Sequence, residues 1–267
     1  MTYALVAGTA IALASGLVGY FVVLRRQLFT GDALSHVAFT GALGALAAGY
    51  DIRIGVLVGT VAVALLLGAL GTQGRADEVV IGGVFAWVLG LGVLFLSIYT
   101  SSDRSASTSA GASVLFGSIL GLDASRAMVT VLVAVVVCTG VIAIGRPLLF
   151  ASVDETVAAA RGVPVRALGY VFLLLVGLTA AEAAQAVGAL LLLALLAAPA
   201  GAAHRLTARP LWAFWLSGAL AVAVMWVGLW LSYAAPRVPP SFAIVGVATV
   251  LYSGVRIVTS WRELIST

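Results

Sequence analysis

The sequence contains no lysine; all 14 of its basic residues are arginines. A Walker A phosphate loop needs a lysine on the nucleotide phosphates, so the chain carries no standard ATP-hydrolysing site of its own. Cysteine is nearly as scarce. Cys138 stands alone among Val135, Val136 and Val137, which excludes an intrachain disulfide and reads as core packing. Charged residues make up only 9% of the chain, and no soluble domain fits between its apolar runs. The formal net charge of +4 does not point to nucleic acid, because the arginines are scattered at the ends of those runs.

What is present is hydrocarbon. The chain is 63% hydrophobic, and a bilayer core is crossed by a helix of roughly 20 apolar residues. The fold class read from this is all-α: a polytopic integral membrane protein forming one transmembrane domain over residues 1–267. The run at 2–24 has no basic residues before it and Arg25-Arg26 after it, so it reads as a retained helix rather than a signal peptide. Further spans are expected near 34–50, 54–71, 79–99, 126–145, 211–233 and 241–258. The stretch 167–200 is too long for one span and short for two, and loop charge arbitrates. Two helices there give nine spans, with the N-terminus outside, the C-terminus inside, ten arginines on the inner side and four on the outer. One helix there gives eight spans and divides the arginines seven against seven, so the excess of positive charge expected inside favours nine.

Two connections stand out. The outer one, roughly 100–125, begins with the polar run Thr100 to Ser109, read as a flexible linker, and continues into Val114–Leu120, too short to span and read as an interfacial or re-entrant helix. The inner one, 146–166, contains Ser152-Val153-Asp154-Glu155, the pattern of a capping box in which Ser152 caps and Glu155 reaches back. The helix that follows is expected to run about nine residues to Arg161 and to stop at Gly162 before Pro164. A short capped helix on the cytoplasmic face is something an energising partner can grip; the plain alternative is an ordinary surface helix.

The most informative segment is Gly31-Asp32-Ala33-Leu34-Ser35-His36. On a helix Asp32 and His36 project from one face, and carboxylate plus imidazole is a donor set for zinc, manganese or iron(II). Charged groups at bilayer depth are functional candidates by default; the plain alternative is an interfacial cap beside a packed histidine. A proton competes with a metal for the imidazole, so binding should weaken in acid. Gly41, Ala45 and Gly49 repeat on the opposite face, where small residues admit a close neighbour. Glu182 is a further candidate for attracting cations, against the plainer reading of a solvated turn residue. His204 reads as a surface or headgroup residue. Trp212, Trp215, Trp226 and Trp230 read as interfacial anchors.

Several segments together resemble the zinc/manganese class of ABC transporter permeases. They are Leu24-Arg25-Arg26 followed by Gly31 to His36, Asp77-Glu78 leading into Val79 to Gly82, Leu115 to Gly121, Asp154-Glu155 continuing through Ala160 to Val165, Gln185 to Gly188, and Ala198-Pro199-Ala200. Phe39-Thr40 departs from the family, which frequently has a proline there, and the serine-rich linker is longer than the family's.

The resemblance implies an importer of divalent transition-metal ions (zinc, manganese or iron) in the plasma (inner) membrane of a prokaryote. It implies a homodimer of this chain, two copies of a cytosolic ATP-binding subunit and an extracytoplasmic metal-binding protein. The metal is cargo, and no catalytic cofactor is expected. Asp32 and His36 match the family's cation-contacting pair. Ser152, Asp154, Glu155, Arg161, Gly162 and Pro164 fall in its coupling helix, which docks into the ATPase. Two rivals come from other classes. A proton-coupled secondary carrier would spread ionisable residues through several spans, whereas these spans are nearly bare. An intramembrane enzyme would use Ser35-His36 as nucleophile and base, yet adjacent helical residues point about 100° apart, and no glycine-flanked nucleophile serine appears elsewhere.

Overall fold

The structure, a computed structural model, describes residues 2–71, 77–101, 121, 123–186, 188–235 and 237–266, with the side chains of 186, 189, 190 and 262–266 left aside. Every regular element among them is helical: α1 (Thr2–Leu24), α2 (Leu28–Ala48), α3 (Ile52–Leu70), α4 (Glu78–Ser101), α5 (Ala124–Val153), α6 (Glu155–Ala160), α7 (Val165–Ala186), α8 (Ala189–Leu206), α9 (Pro210–Ala234) and α10 (Pro240–Ser266). Seven of these are long and apolar enough to cross a membrane. Outside that set, the other two long helices are α2, which carries Asp32 and His36, and the shorter α8. The stretch 167–200 is two helices, parted at Gly188, whose φ of 99° is left-handed backbone that glycine adopts without steric cost. Thr100 and Ser101, expected to open the linker, instead end α4; the rest of the expected linker and the interfacial helix at 114–120 lie outside the described residues.

The bundle is arranged around α1, which packs against α5, α7, α8 and α9. Its sequence permits this because small residues let neighbours approach. A β-carbon on Gly16 would lie 2.7 Å from the Ser217 carbonyl oxygen of α9, and one on Gly19 would fall against Leu196 O of α8. Ser217 Oγ also donates to Gly16 O at 2.6 Å, which satisfies both groups inside the dry interior. The remaining helices lie around this core: α3 against α2 and α7, α4 against α2, and α10 against α8 and α9.

One end of the bundle is fixed by aromatic rings. Tyr20 and Phe21 at the end of α1 meet Phe172 near the start of α7, His204 at the end of α8 and Phe214 at the start of α9. The α1–α2 elbow therefore shares its end of the bundle with the α5–α6–α7 connection. His204 is not a free surface residue. Its ring stacks on Tyr20 at 4.6 Å, and its Nε2 lies 3.2 Å from Tyr20 O. The four tryptophans of α9 are exposed, and Trp226 Nε1 donates to Thr9 Oγ1 at 2.8 Å. Cys138 is half-buried and packs against the core, as its apolar setting suggests.

Candidate functional site

Helix α2 starts earlier than its hydropathy suggests, at Leu28, which brings Asp32 and His36 onto regular helix. Asp32 Oδ1 lies 3.9 Å from His36 Nε2, as four-residue spacing on a helix dictates. Their side chains are 32% and 26% exposed, so the pair is open on one side and walled on the other. The wall is α4: the Phe85 ring centroid is 5.4 Å from that of His36, and Phe85 also meets Phe29 edge-on at 6.0 Å. Nothing in the spacing of Phe85 marks it out in the sequence, since its contact with α2 comes only from tertiary packing. Ser35 does not face the pair; its hydroxyl donates to Asp32 O at 2.7 Å and is fully buried. Among the described residues no third histidine, cysteine or acid joins Asp32 and His36 as a metal-holding group.

The small-residue face of α2 sits where the spacing expects it. Gly41 packs backbone to backbone on Gly55 of α3, and a β-carbon on Gly55 would lie 2.5 Å from Ala45 Cβ. Gly49 serves differently. It ends α2 with φ 78°, and its N–H reaches Ala45 O and Leu46 O. Close packing on this face turns the opposite face, with Asp32 and His36, away from α3.

Glu182 differs from its reading as a solvated turn residue. It lies on α7 a turn before the break and is 8% exposed. The polar groups acting on its carboxyl are Thr130 of α5 and Arg53 at the start of α3. A void of about 10 Å³ beside it is lined by Ile11, Ala14, Val137, Leu178 and Thr179, among others. Thr130 carries no sequence signal, being one more threonine on an apolar helix.

The inner connection is a capped helix, but the capping differs from the expected box. Asp154, not Ser152, is the N-cap of α6, and its Oδ1 accepts from Val157 N at 2.9 Å and Thr156 Oγ1 at 2.7 Å. Ser152 belongs to the end of α5, where its hydroxyl donates to Leu148 O at 2.6 Å. The physical reason is that α5 runs on through Val153, so only Asp154 has the extended backbone a cap needs. The two donors hold the Asp154 carboxyl below the usual carboxylate range, the Val157 amide contributing most. Glu155 stands in the first turn of α6, which is six residues long, shorter than expected. Arg161 is its C-cap, Gly162 follows with φ 80°, and Pro164 leads into α7. Ala158 packs on Ala151 and Val165, while Val153, Val157 and Arg161 are exposed.

A profile of the ABC 3 transport family matches residues 1–259. The chain belongs to the ABC 3 transport family. This family member is similar to the manganese transport system membrane protein MntC of Listeria innocua, 30% identical over 93% of the chain and 87% of the relative. It is also similar to the manganese import system permease protein ScaB of Streptococcus pneumoniae, 33% identical over 86% of the chain and 80% of the relative. Among solved structures it resembles PsaBC from Streptococcus pneumoniae in complex with Fab, with TM-score 0.80 and 26% identity over 95% of this chain and 90% of that one. It shares its fold with an inward-facing putative metal-chelate type ABC transporter at TM-score 0.61 and 19% identity, covering 94% of this chain and 84% of that one. The resemblance to a metal-ion ABC permease therefore holds. The ABC 3 family member is a permease subunit, not the ATPase, in line with its lack of lysine, and a proton-coupled carrier is not favoured.

Proposed function

We propose that this chain is the membrane-spanning permease of an ATP-driven importer of manganese(II). In this reading two copies form the pathway, two cytosolic ATP-binding subunits drive it, and an extracytoplasmic metal-binding protein delivers the ion. The observation that carries the reading is the Asp32–His36 pair, a carboxylate and an imidazole 3.9 Å apart on the open face of α2. One pair is half a site. Two pairs brought together across a two-fold axis supply two oxygens and two nitrogens, a set that offsets the desolvation of a divalent ion. The same donors suit zinc and iron(II); manganese is taken from the names of the relatives.

In the orientation we propose, nine helices of one transmembrane domain cross the plasma membrane, with the start of α1 outside and the end of α10 inside. The aromatic end of the bundle, with the α1–α2 elbow and α6, then faces the cytosol. There Asp154 fixes the first turn of α6, and exposed Val153, Val157 and Arg161 offer an apolar and cationic surface to the ATPase. Ser152, Glu155, Gly162 and Pro164 hold that surface in place at its two ends. Glu182 is the further candidate for cation contact, at the outer end. Glu182→Gln tests it: a raised KM for manganese in folded protein supports contact, and an unchanged KM leaves the carboxylate a packing role with Thr130.

The test of the proposed function is uptake of radiolabelled manganese(II), zinc(II) or iron(II) by cells expressing this chain with its ATPase and binding protein. ATP-dependent uptake of manganese supports the reading. Uptake of zinc or iron alone changes the cargo, and uptake that persists without the ATPase overturns the mechanism.

A further inference from the structure

The elbow joining α1 to α2 drives polar side chains into an apolar interior. Arg25 is 3% exposed, with its guanidinium 5.6 Å over the Phe172 ring of α7. Arg26 has φ 57°, and among the described residues no other non-glycine has positive φ; such backbone is uncommon for a long side chain. Gln27 is 6% exposed, and its side chain does not cap α2 although it occupies the N-cap position. Neither Nε2 nor Oε1 of Gln27 meets a hydrogen-bond partner among the described residues, and the same holds for Oγ1 of Thr30, which is 1% exposed. Three other buried threonines behave differently: Thr40, Thr60 and Thr179 each donate to a carbonyl within 3.1 Å.

Buried polar groups without partners are costly, and backbone strain of this kind collects at segments that switch, which singles out the elbow. The surroundings indicate what would move. At Gly31 a β-carbon would lie 3.2 Å from Leu196 Cδ1, so the first turn of α2 is seated against α8. Arg25 ties the same elbow to α7, the helix into which α6 leads. Asp32 lies little more than a turn further along α2.

We infer that the α1–α2 elbow is the hinge of the transport cycle. Motion of α6 with the ATPase pulls on α7, the inner end of α2 leaves α7 and α8, and Gln27 and Thr30 become wet. Asp32 and His36 move with that end of α2, which changes how tightly the two pairs hold the cation. The inference rests on the import reading above.

The experiment uses the assembled transporter in inside-out vesicles, on a Cys138→Ala background that leaves no other thiol in this chain. Gln27→Cys and Thr30→Cys are challenged with a charged, membrane-impermeant methanethiosulfonate, without nucleotide and after trapping with ATP and vanadate. Labelling rates that differ at least tenfold between the two states are expected. Equal rates, or no labelling in either state while cells expressing the same variant take up manganese, overturn the hinge and leave the import reading intact. Loss of uptake by the parent chain would instead strike the import reading. Gln27→Leu and Thr30→Val give a second readout, since they suit a dry elbow and oppose its wetting. A higher melting temperature with maximal uptake reduced several-fold and KM unchanged is expected; unchanged uptake or a lower melting temperature contradicts the hinge.

Discussion

Gly41 of α2 and Gly55 of α3 meet backbone to backbone, each occupying the space that a β-carbon on the other would need. At about 100° per residue, Gly41 lies nearly opposite Asp32 on the helix circumference. The contact therefore sets the rotation of α2 as well as its distance from α3. A close glycine seam on one face obliges the carboxylate–imidazole pair to face the other way.

Gly41→Ala should thus overpack the seam and destabilise the protein by about 1–3 kcal/mol. Gly90 on α4 stands in open space, where an added β-carbon would meet nothing within 4 Å, and Gly90→Ala should be neutral or slightly stabilising through helix propensity. Thermal unfolding of the purified transporter compares the two. Equal melting temperatures would mean that the seam does not bear on stability.

If two copies pair through the open face of α2, residues rimming Asp32 on that face come together. Leu28 and Phe29 are such residues, 36% and 41% exposed. On a Cys138→Ala background, Leu28→Cys should cross-link two copies under mild oxidation, giving a doubled mass on a non-reducing gel. Val93→Cys, on the open face of α4 at 69% exposure, should not. The reverse pattern would place the dimer contact on α4.

Asp154 predicts a pH dependence whose sign follows from its two donors. Its carboxyl is held below the usual carboxylate range, so its contribution to α6 is fully present above the unfolded value. That contribution is lost as pH falls through the depressed one. Asp154→Asn keeps a side-chain oxygen for the cap and should retain coupling, while removing this acid sensitivity. Asp154→Ala should leave ATP hydrolysis poorly coupled to manganese uptake. The ratio of the two rates, followed from neutral into acid pH, checks both statements.

Much of the fold is legible in the chain alone. Scarce charge and long apolar runs give the helical membrane fold, and arginine balance favours two helices over 167–200 without locating the break at Gly188. Asp32 and His36 are visible because four-residue spacing is a local property that survives any tertiary arrangement. The cap of α6 stands two residues beyond the serine that the capping pattern selects, because whether α5 ends before or after Ser152 depends on its packing rather than on that pattern. Burial of Glu182 is not legible, since Thr130 and Arg53 approach it from helices far away in sequence. The elbow is hidden for the same reason. Gln27 and Thr30 look like ordinary loop and helix-start residues, and only the packing of the elbow, with Arg25 on α7 and Gly31 on α8, buries them.

The central claim is that Asp32 and His36 form half of the cation site in the pathway. Uptake of radiolabelled manganese(II) should be compared for the wild type, Asp32→Asn and His36→Ala at matched membrane levels of each. The account predicts at least a tenfold loss of uptake in both variants, with ATP hydrolysis by the assembled complex retained. Wild-type uptake in both variants would contradict it, reducing the pair to a polar patch on α2.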